Sequence, residues 1–391
     1  MNDVNPVDLH NPSVEIIKSA DDAPPARGDR KKLMKLEAIR GFAAIYVLSH
    51  HTFPEYTTVF GKQIAFFKYA QEAVMMFFIL SGFVIQYAYL VSPDKSFKSF
   101  FLKRFLRIFI PLVCVFIAHY ILLEAFNQKV SDADAYSLLG SLLMLQQVPE
   151  IWNQPSWFEP FLGNKPLWTL TFEWWFYMMF FFISYRFKDR SSVTVYIITT
   201  IAAITYIFFP FSINREIMYF MLWWMGADMA RLYVTGKAIN LSSMRTPLLV
   251  LGGIGLLTIC HFFYYQNIHP DNAVHFVTTP LIEVRHFGFC LVAIIVAIGW
   301  KKLNWFGFDY TFGLFQFLAP ISFSLYISHW YLVSHAHYLD DAISNIYVRF
   351  FSYLLLCCGF CYVVERIIYP KLSMRVLRYF SIRKKSFVIV K

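Results

Sequence analysis

The chain has 391 residues, of which 58% are hydrophobic, 20% aromatic and 15% charged. Soluble domains carry about 25% charged residues, so this composition excludes an ordinary soluble enzyme. It fits a polytopic membrane protein, in which aromatic rings fill helix interfaces and headgroup belts. The net charge of +10 does not indicate nucleic acid, because Lys and Arg fall in short clusters between apolar runs, the pattern of cytoplasmic loops.

Residues 1–26 are polar, contain Asp21-Asp-Ala-Pro-Pro25 and lack the apolar core of a cleavable signal peptide. With the basic stretch to residue 32 they are expected to form a disordered cytoplasmic tail. Ten apolar runs follow, at 36–53, 69–91, 108–126, 166–185, 193–211, 216–234, 247–264, 281–300, 317–338 and 347–369. A helix crosses a bilayer in about 20 residues, so the runs predict an all-α bundle of about ten transmembrane helices over 33–370. Between the third and fourth runs lie a helical-looking piece from Tyr136 to Gln147 and the segment Trp152-Asn-Gln-Pro-Ser-Trp157. That aromatic and polar mixture suits either a sugar face or an interfacial belt. Residues 371–391 form a basic tail suited to anionic lipid at the cytoplasmic face. The six cysteines all lie in apolar stretches and imply no disulfide framework.

The charge distribution predicts the topology. With the N-terminus in the cytoplasm, the inside segments carry 25 Lys and Arg residues, whereas the outside loops carry only Lys62, Lys68, Lys129, Lys165 and Arg215. Basic residues are retained on the cytoplasmic side, so an N-in, C-in arrangement follows.

Several polar residues interrupt the apolar runs. Ionisable groups in a membrane span are costly and mark candidate functional sites. Arg40 and His51 share the first run; eleven residues of helix make about three whole turns and rise about 16 Å, so the two share a face at different depths. An imidazole there suits proton removal from an attacking hydroxyl, and a snorkelling Arg with an interfacial His is the alternative. Arg104 and Arg107 are neighbours on one helical face, where two guanidinium forks suit phosphate oxygens or simply anchor the cytoplasmic surface. Glu173, in an apolar helix, must be paired or neutral; it is expected to orient His51 or balance its charge, and a structural polar contact between helices is the alternative. Ser322, Tyr326 and His329 form a polar stripe that lines a cavity or joins helices. The pairs Asp228 with Arg231 and Glu365 with Arg366 read as stabilising charges, and Ser81-Gly82 as a site of close helix packing. Neither a zinc-spaced His/Cys cluster nor a Gly-rich phosphate loop is present, so no metal is expected.

Taken in order, these segments resemble the acyltransferase-3 family of polytopic bacterial acyltransferases. Arg40 through His51 is similar to the family's Arg-x10-His pattern, which selects His51 over His50. Phe77-Phe-Ile-Leu-Ser-Gly-Phe-Val-Ile85 resembles its second-helix signature, and Arg104-Phe-Leu-Arg107 with Pro111 its paired-arginine motif. Leu167-Trp-Thr-Leu-Thr-Phe-Glu173 is similar to its Ser-Leu-x-x-Glu segment, with Thr169 or Thr171 near the usual serine. Ile321-Ser-Phe-Ser-Leu-Tyr-Ile-Ser-His329 resembles a late Ser-Tyr-Ser-Leu-Tyr-x-x-His pattern, with Phe323 in place of the first tyrosine.

The resemblance implies a multi-pass protein of the bacterial inner membrane that takes acyl-CoA, with acetyl-CoA the expected donor, from the cytoplasm. It implies an acceptor hydroxyl on an exported carbohydrate or lipid-linked glycan. In that scheme Arg104 and Arg107 hold the CoA phosphates and Arg40 stabilises the thioester oxygen as it becomes anionic. His51 takes the acceptor's proton or carries the acyl group. A proton-coupled transporter or a non-catalytic subunit of a glycan export machine would also place ionisable groups in spans. The absence of an obvious internal repeat counts against the transporter.

Overall fold

The computed structural model describes residues 27–52, 58–59, 62–63, 68–126, 135–146, 158–270 and 279–380. Of the expected disordered tail at 1–32, residues 1–26 lie outside them, whereas residues 27–32 are the first turns of a helix; the Trp152–Trp157 segment and the last residues from 381 also lie outside.

The described chain is almost entirely helical. Long helices form at α1 (Arg27–Thr52), α2 (Ala70–Val91) and α3 (Phe97–Ala125), and a short α4 at Ala135–Leu142. They continue with α5 (Trp168–Phe187), α6 (Ser191–Phe208), α7 (Ser212–Val234), α8 (Arg245–Ile268) and α9 (Leu281–Lys302). The last elements are α10 (Ser322–His329), α11 (Ile346–Tyr362) and α12 (Tyr369–Tyr379). The strands β1 (Thr58–Val59) and β2 (Lys62–Gln63) make one small antiparallel pair. Six helical stretches among the described residues are long and apolar enough to cross a membrane: Ala70–Val91, Phe97–Ala125, Lys165–Phe208, Arg245–Ile268, Leu281–Lys302 and Ile346–Tyr379.

Besides the first helix, which starts at Arg27 rather than near residue 36, three elements depart from the sequence expectation. Helix α3 starts well ahead of residue 108, because the Ser96 side chain caps it by accepting a hydrogen bond from the Ser99 backbone N–H at 3.3 Å. Arg104 and Arg107 therefore lie inside a helix. The run at 317–338 is not one span: a 3-10 segment at Phe312–Leu318 precedes α10, and a π-helical turn at Trp330–Ser334 follows it. Pro320, which has no N–H to donate, separates the 3-10 segment from α10. The last helix passes through a second π-helical turn at Val363–Ile368 and ends at Tyr379, beyond the expected boundary at 370.

Helix α7 is the centre of the bundle. Residues from Met218 to Ala227 are buried on every side, which is the signature of a core helix rather than a lipid-facing one. It crosses α2 in direct backbone contact. A Cβ added at Gly82 would meet the Trp223 carbonyl oxygen at 1.9 Å, and one at Gly226 would meet the Ile79 carbonyl oxygen at 1.9 Å. Each helix thus offers a missing side chain to the other's backbone, and the Ser81-Gly82 pair serves the close packing read from the sequence. The indole N–H of Trp223 then donates to Ser81 Oγ at 3.1 Å, so the crossing also fixes a polar group beside the cavity described below.

Gly82→Leu or Gly226→Leu is expected to separate α2 from α7, since backbone atoms cannot yield as a flexible side chain does. Overpacking costs about 1–3 kcal/mol. Thermal unfolding in detergent should fall by several degrees or the variant should not be recovered folded; a wild-type melting curve for both variants would refute the crossing.

Candidate functional site

A cavity of about 260 Å³ lies between α1, α2, α3, α5 and α10, with Tyr369 of α12 at its edge. Its walls are mostly apolar, from Val74, Phe78 and Ile85 on α2 to Leu170 on α5. Arg40, Arg104, Arg107, Glu173, Ser322 and Tyr326, all singled out from the sequence, also line it. They come from four helices and converge only in the folded bundle. A groove of about 530 Å³ opens next to the cavity. The two share Arg40, Leu80, Val84, Lys103, Arg107 and Tyr369, and the groove extends along Glu37 of α1 to Arg366 and Leu377.

The three arginines are held differently. Arg107 is fully engaged: its Nη1 lies 2.6 Å from Glu365 Oε2, and its guanidinium lies over the rings of Phe323 at 4.9 Å and Tyr369 at 5.2 Å. Ser324 Oγ donates to the other carboxylate oxygen of Glu365 at 2.8 Å. The sequence paired Glu365 with the adjacent Arg366; in the fold its partner is Arg107, brought in from α3. Arg104 lies over Phe100 at 5.6 Å and Tyr177 at 6.0 Å, and its Nε has no hydrogen-bond partner. Arg40 makes one long hydrogen bond, Nη2 to the Ala319 carbonyl at 3.5 Å, and its Nε is likewise unpartnered. Among the described residues neither Arg40 nor Arg104 has an ion-pair partner.

Glu173 does not orient His51. Its Oε1 accepts hydrogen bonds from Ser81 Oγ at 2.5 Å and from the Tyr177 hydroxyl one helical turn away. No hydrogen bond or ion pair among the described residues joins it to His51. Once α5 packs on α2 the carboxylate faces the cavity, while His51 stands in the last turn of α1. Sequence reasoning missed Tyr177 as a partner, although its i+4 spacing from Glu173 was visible; Ser81 was read only as packing.

His51 and His329 lie beyond the cavity lining. The cavity reaches Tyr326, whose hydroxyl donates to the Pro166 carbonyl at 3.1 Å and whose ring packs against Phe77 at 5.6 Å. One turn further along α10, His329 is fully buried. Its ring stacks on that of His51 with centroids 5.3 Å apart, and Trp330 meets His51 edge-on at 5.3 Å. A hydrogen bond between Thr52 Oγ1 and Ser334 Oγ at 3.1 Å ties the end of α1 to the π-helical turn that follows α10. Trp330 had no signal in the sequence beyond its position after His329.

A second set of charges is buried away from the cavity. Arg215, expected in an outside loop, is fully buried in α7 and bonds through Nε to Glu283 Oε1 at 2.7 Å. Arg285 and Glu72 pair at 2.5 Å. Near the opposite end of α7, Asp228 accepts from Ser192 at 2.6 Å and Tyr196 at 2.5 Å, and Arg231 donates to Ser191, Ser192 and Gln86. Asp228 and Arg231 therefore meet through Ser192 rather than as a direct pair. These groups tie α2, α6, α7 and α9 together. Among the described residues no group of three or more His, Cys, Asp or Glu side chains is placed to hold a metal ion.

A family model described as an acyltransferase domain matches residues 35–366. No curated protein and no solved structure matches the chain.

The Arg107–Glu365 pair has a measurable consequence. Glu365→Gln leaves the guanidinium without its counter-charge and should cost about 1–3 kcal/mol. Arg107→Gln should cost less in the Glu365→Gln background than alone, because contacting partners couple. Denaturation of the single and double variants in detergent checks this; strictly additive losses would show the pair to be energetically idle.

Proposed function

The chain belongs to the acyltransferase-3 family, and from that membership we propose that it moves an acyl group, acetyl first, from cytoplasmic acyl-CoA to a hydroxyl of an exported or surface carbohydrate. The observation that carries the reading is the pair of guanidinium groups, Arg40 and Arg104, that line a partly open, mostly apolar cavity and have no ion-pair partner among the described residues. A cation enclosed in apolar surroundings needs a counter-charge. A phosphate-bearing donor supplies one.

In this reading the basic end of the bundle faces the cytoplasm of a bacterium, both termini lie there, and ten passes cross the inner membrane. The charge census supports it: 25 basic residues fall in the segments placed inside, against Lys62, Lys68, Lys129, Lys165 and Arg215 in those placed outside. The groove beside Glu37, Lys103 and Arg366 then receives the donor's nucleotide end. Arg104, which makes no ion pair among the described residues, and Lys103 at the cavity mouth offer charge for phosphate oxygens. Arg107 is already neutralised by Glu365, so it contributes directional N–H donors rather than net charge.

The pantetheine arm follows the cavity toward Tyr326. Arg40 stands midway and donates to the thioester oxygen as negative charge develops on it. Glu173 keeps Ser81 and Tyr177 turned into one fixed polar wall; its role is positional. Past Tyr326 the acyl group meets His51, which takes the acceptor's proton or carries the acyl group itself. Carbohydrate hydroxyls outside the cell are the acceptor class this arrangement serves, because the histidine lies at the end of α1 remote from the groove.

Purified protein with labelled acetyl-CoA tests the assignment. His51→Ala should abolish transfer, and Arg40→Ala should lower turnover on the order of a hundredfold. Arg104→Ala should weaken acetyl-CoA binding while leaving the protein folded. Mass spectrometry of surface glycans from cells with and without the protein identifies the product. Full turnover by His51→Ala, or unchanged glycans, would remove the proposal.

A further inference from the structure

The stacked imidazoles raise a question of labour. His329 is fully buried, and its Nδ1 lies 2.7 Å from the carbonyl oxygen of Tyr326. A carbonyl oxygen only accepts, so Nδ1 carries the proton and the tautomer is assigned by its partner. Nε2 is then a bare acceptor. It is buried and has no hydrogen-bond partner, a state that costs about 1–3 kcal/mol when nothing binds there. Nδ1 of His119 and Nε2 of His286 are likewise buried without a partner; what sets His329 apart is that its ring stacks on His51, and a catalytic task is one reason to keep such a group.

The surroundings hold this ring in place. His119 donates from Nε2 to the Ser328 carbonyl at 3.1 Å, fixing the backbone just before His329. The Ser328 hydroxyl lies 3.5 Å from Cys357 Sγ and 3.4 Å from Cys361 Sγ on α11. The Thr52–Ser334 bond locks α1 against the π-helical turn that directly follows His329, and π-helical turns are frequent at functional sites. The other groups near the two rings are His50, His119, Lys165, Tyr326, Trp330 and, tilted against Trp330 at 4.1 Å, His335. Among the described residues no carboxylate is hydrogen-bonded or ion-paired to either ring. Two imidazoles this close cannot both be protonated without like-charge repulsion, so the pair handles one proton at a time.

We propose that His329 is a second catalytic imidazole: His51 carries the acyl group and Nε2 of His329 takes the proton of the acceptor hydroxyl. This rests on the acyl-transfer reading above and divides its steps. In the first, a ring nitrogen of His51 attacks the thioester carbonyl. A C–N bond forms, the C–S bond breaks, and the proton lost from His51 leaves on the CoA thiol. In the second, the acceptor oxygen attacks the acyl carbon. A C–O bond forms, the C–N bond breaks, and the hydroxyl proton passes to His329 Nε2, which then returns it to the freed nitrogen of His51. An acylated His51 has lost its basicity, so the second step needs another base. His329 is the one beside it.

Two variants test the division. His329→Asn keeps a side-chain N–H in the position of Nδ1 to donate to the Tyr326 carbonyl and removes only the Nε2 function. His329→Phe keeps a ring against His51. With acetyl-CoA, and with methyl glucoside and water as acceptor probes, wild type should release thiol continuously. Each folded variant should release about one equivalent per protein and then slow by ~100-fold or more, with the acetyl label on the His51 peptide. His51→Ala should give no burst and no labelled peptide. A folded variant that turns over within about threefold of wild type overturns the proposal, and so does one that loses the burst together with turnover. A wild type that neither bursts nor turns over contradicts the acyl-transfer reading itself.

Discussion

A charge enclosed in an apolar bundle must have a counter-charge, and the fold of this protein is organised around how that demand is met. Arg215 with Glu283, Arg285 with Glu72 and Arg107 with Glu365 are satisfied internally. Among the described residues Arg40 and Arg104 have no ion-pair partner: Glu37 and Glu365 act on Arg40 and Glu173 on Arg104 only at longer range, Arg40 has one long carbonyl contact, Arg104 has aromatic neighbours, and both face the cavity. Breaking a buried pair costs about 3–5 kcal/mol, so internal pairs give α2, α7 and α9 fixed places. The two unpaired guanidinium groups leave electrostatic demand unspent at one site.

The cavity exists because the helices around it are rigid. Backbone contact of Gly82 with Trp223 and of Gly226 with Ile79 brings α2 onto the buried face of α7, and Trp223 then reaches Ser81. Ser81 donates to Glu173, and Glu173 holds Tyr177. One side of the cavity is therefore a continuous chain of packing and hydrogen bonds from the bundle core. The other side is Arg107, clamped between two rings and a carboxylate. An arrangement of fixed donors around an apolar channel suits a reaction in which charge develops on a carbonyl oxygen.

Most helices were legible because hydrophobicity alone marks them: the expected 69–91 and 281–300 are found as Ala70–Val91 and Leu281–Lys302. The run at 317–338 misled because apolar composition does not reveal where Pro320 breaks the hydrogen-bond ladder or where a π-helical turn widens it. The start of α3 was hidden because its first turns are rich in Lys and Arg and resemble a loop until Ser96 is recognised as a cap. Site residues were legible as unusual polar groups in apolar runs. Their partners were not: Glu365 lies 258 residues from Arg107, and no spacing rule spans that distance. Glu173 was sent to the wrong partner because function suggested an acid beside His51, whereas Tyr177 one turn away and Ser81 on α2 were nearer.

The central claim is that Arg40 and Arg104 await an anionic donor. A structure of the protein with acetyl-CoA bound tests it most directly. The account expects phosphate oxygens against Arg104 and Lys103 at the cavity mouth, and the thioester within hydrogen-bond reach of Arg40. A donor bound elsewhere on the protein, with both guanidinium groups still without a counter-charge, would contradict it.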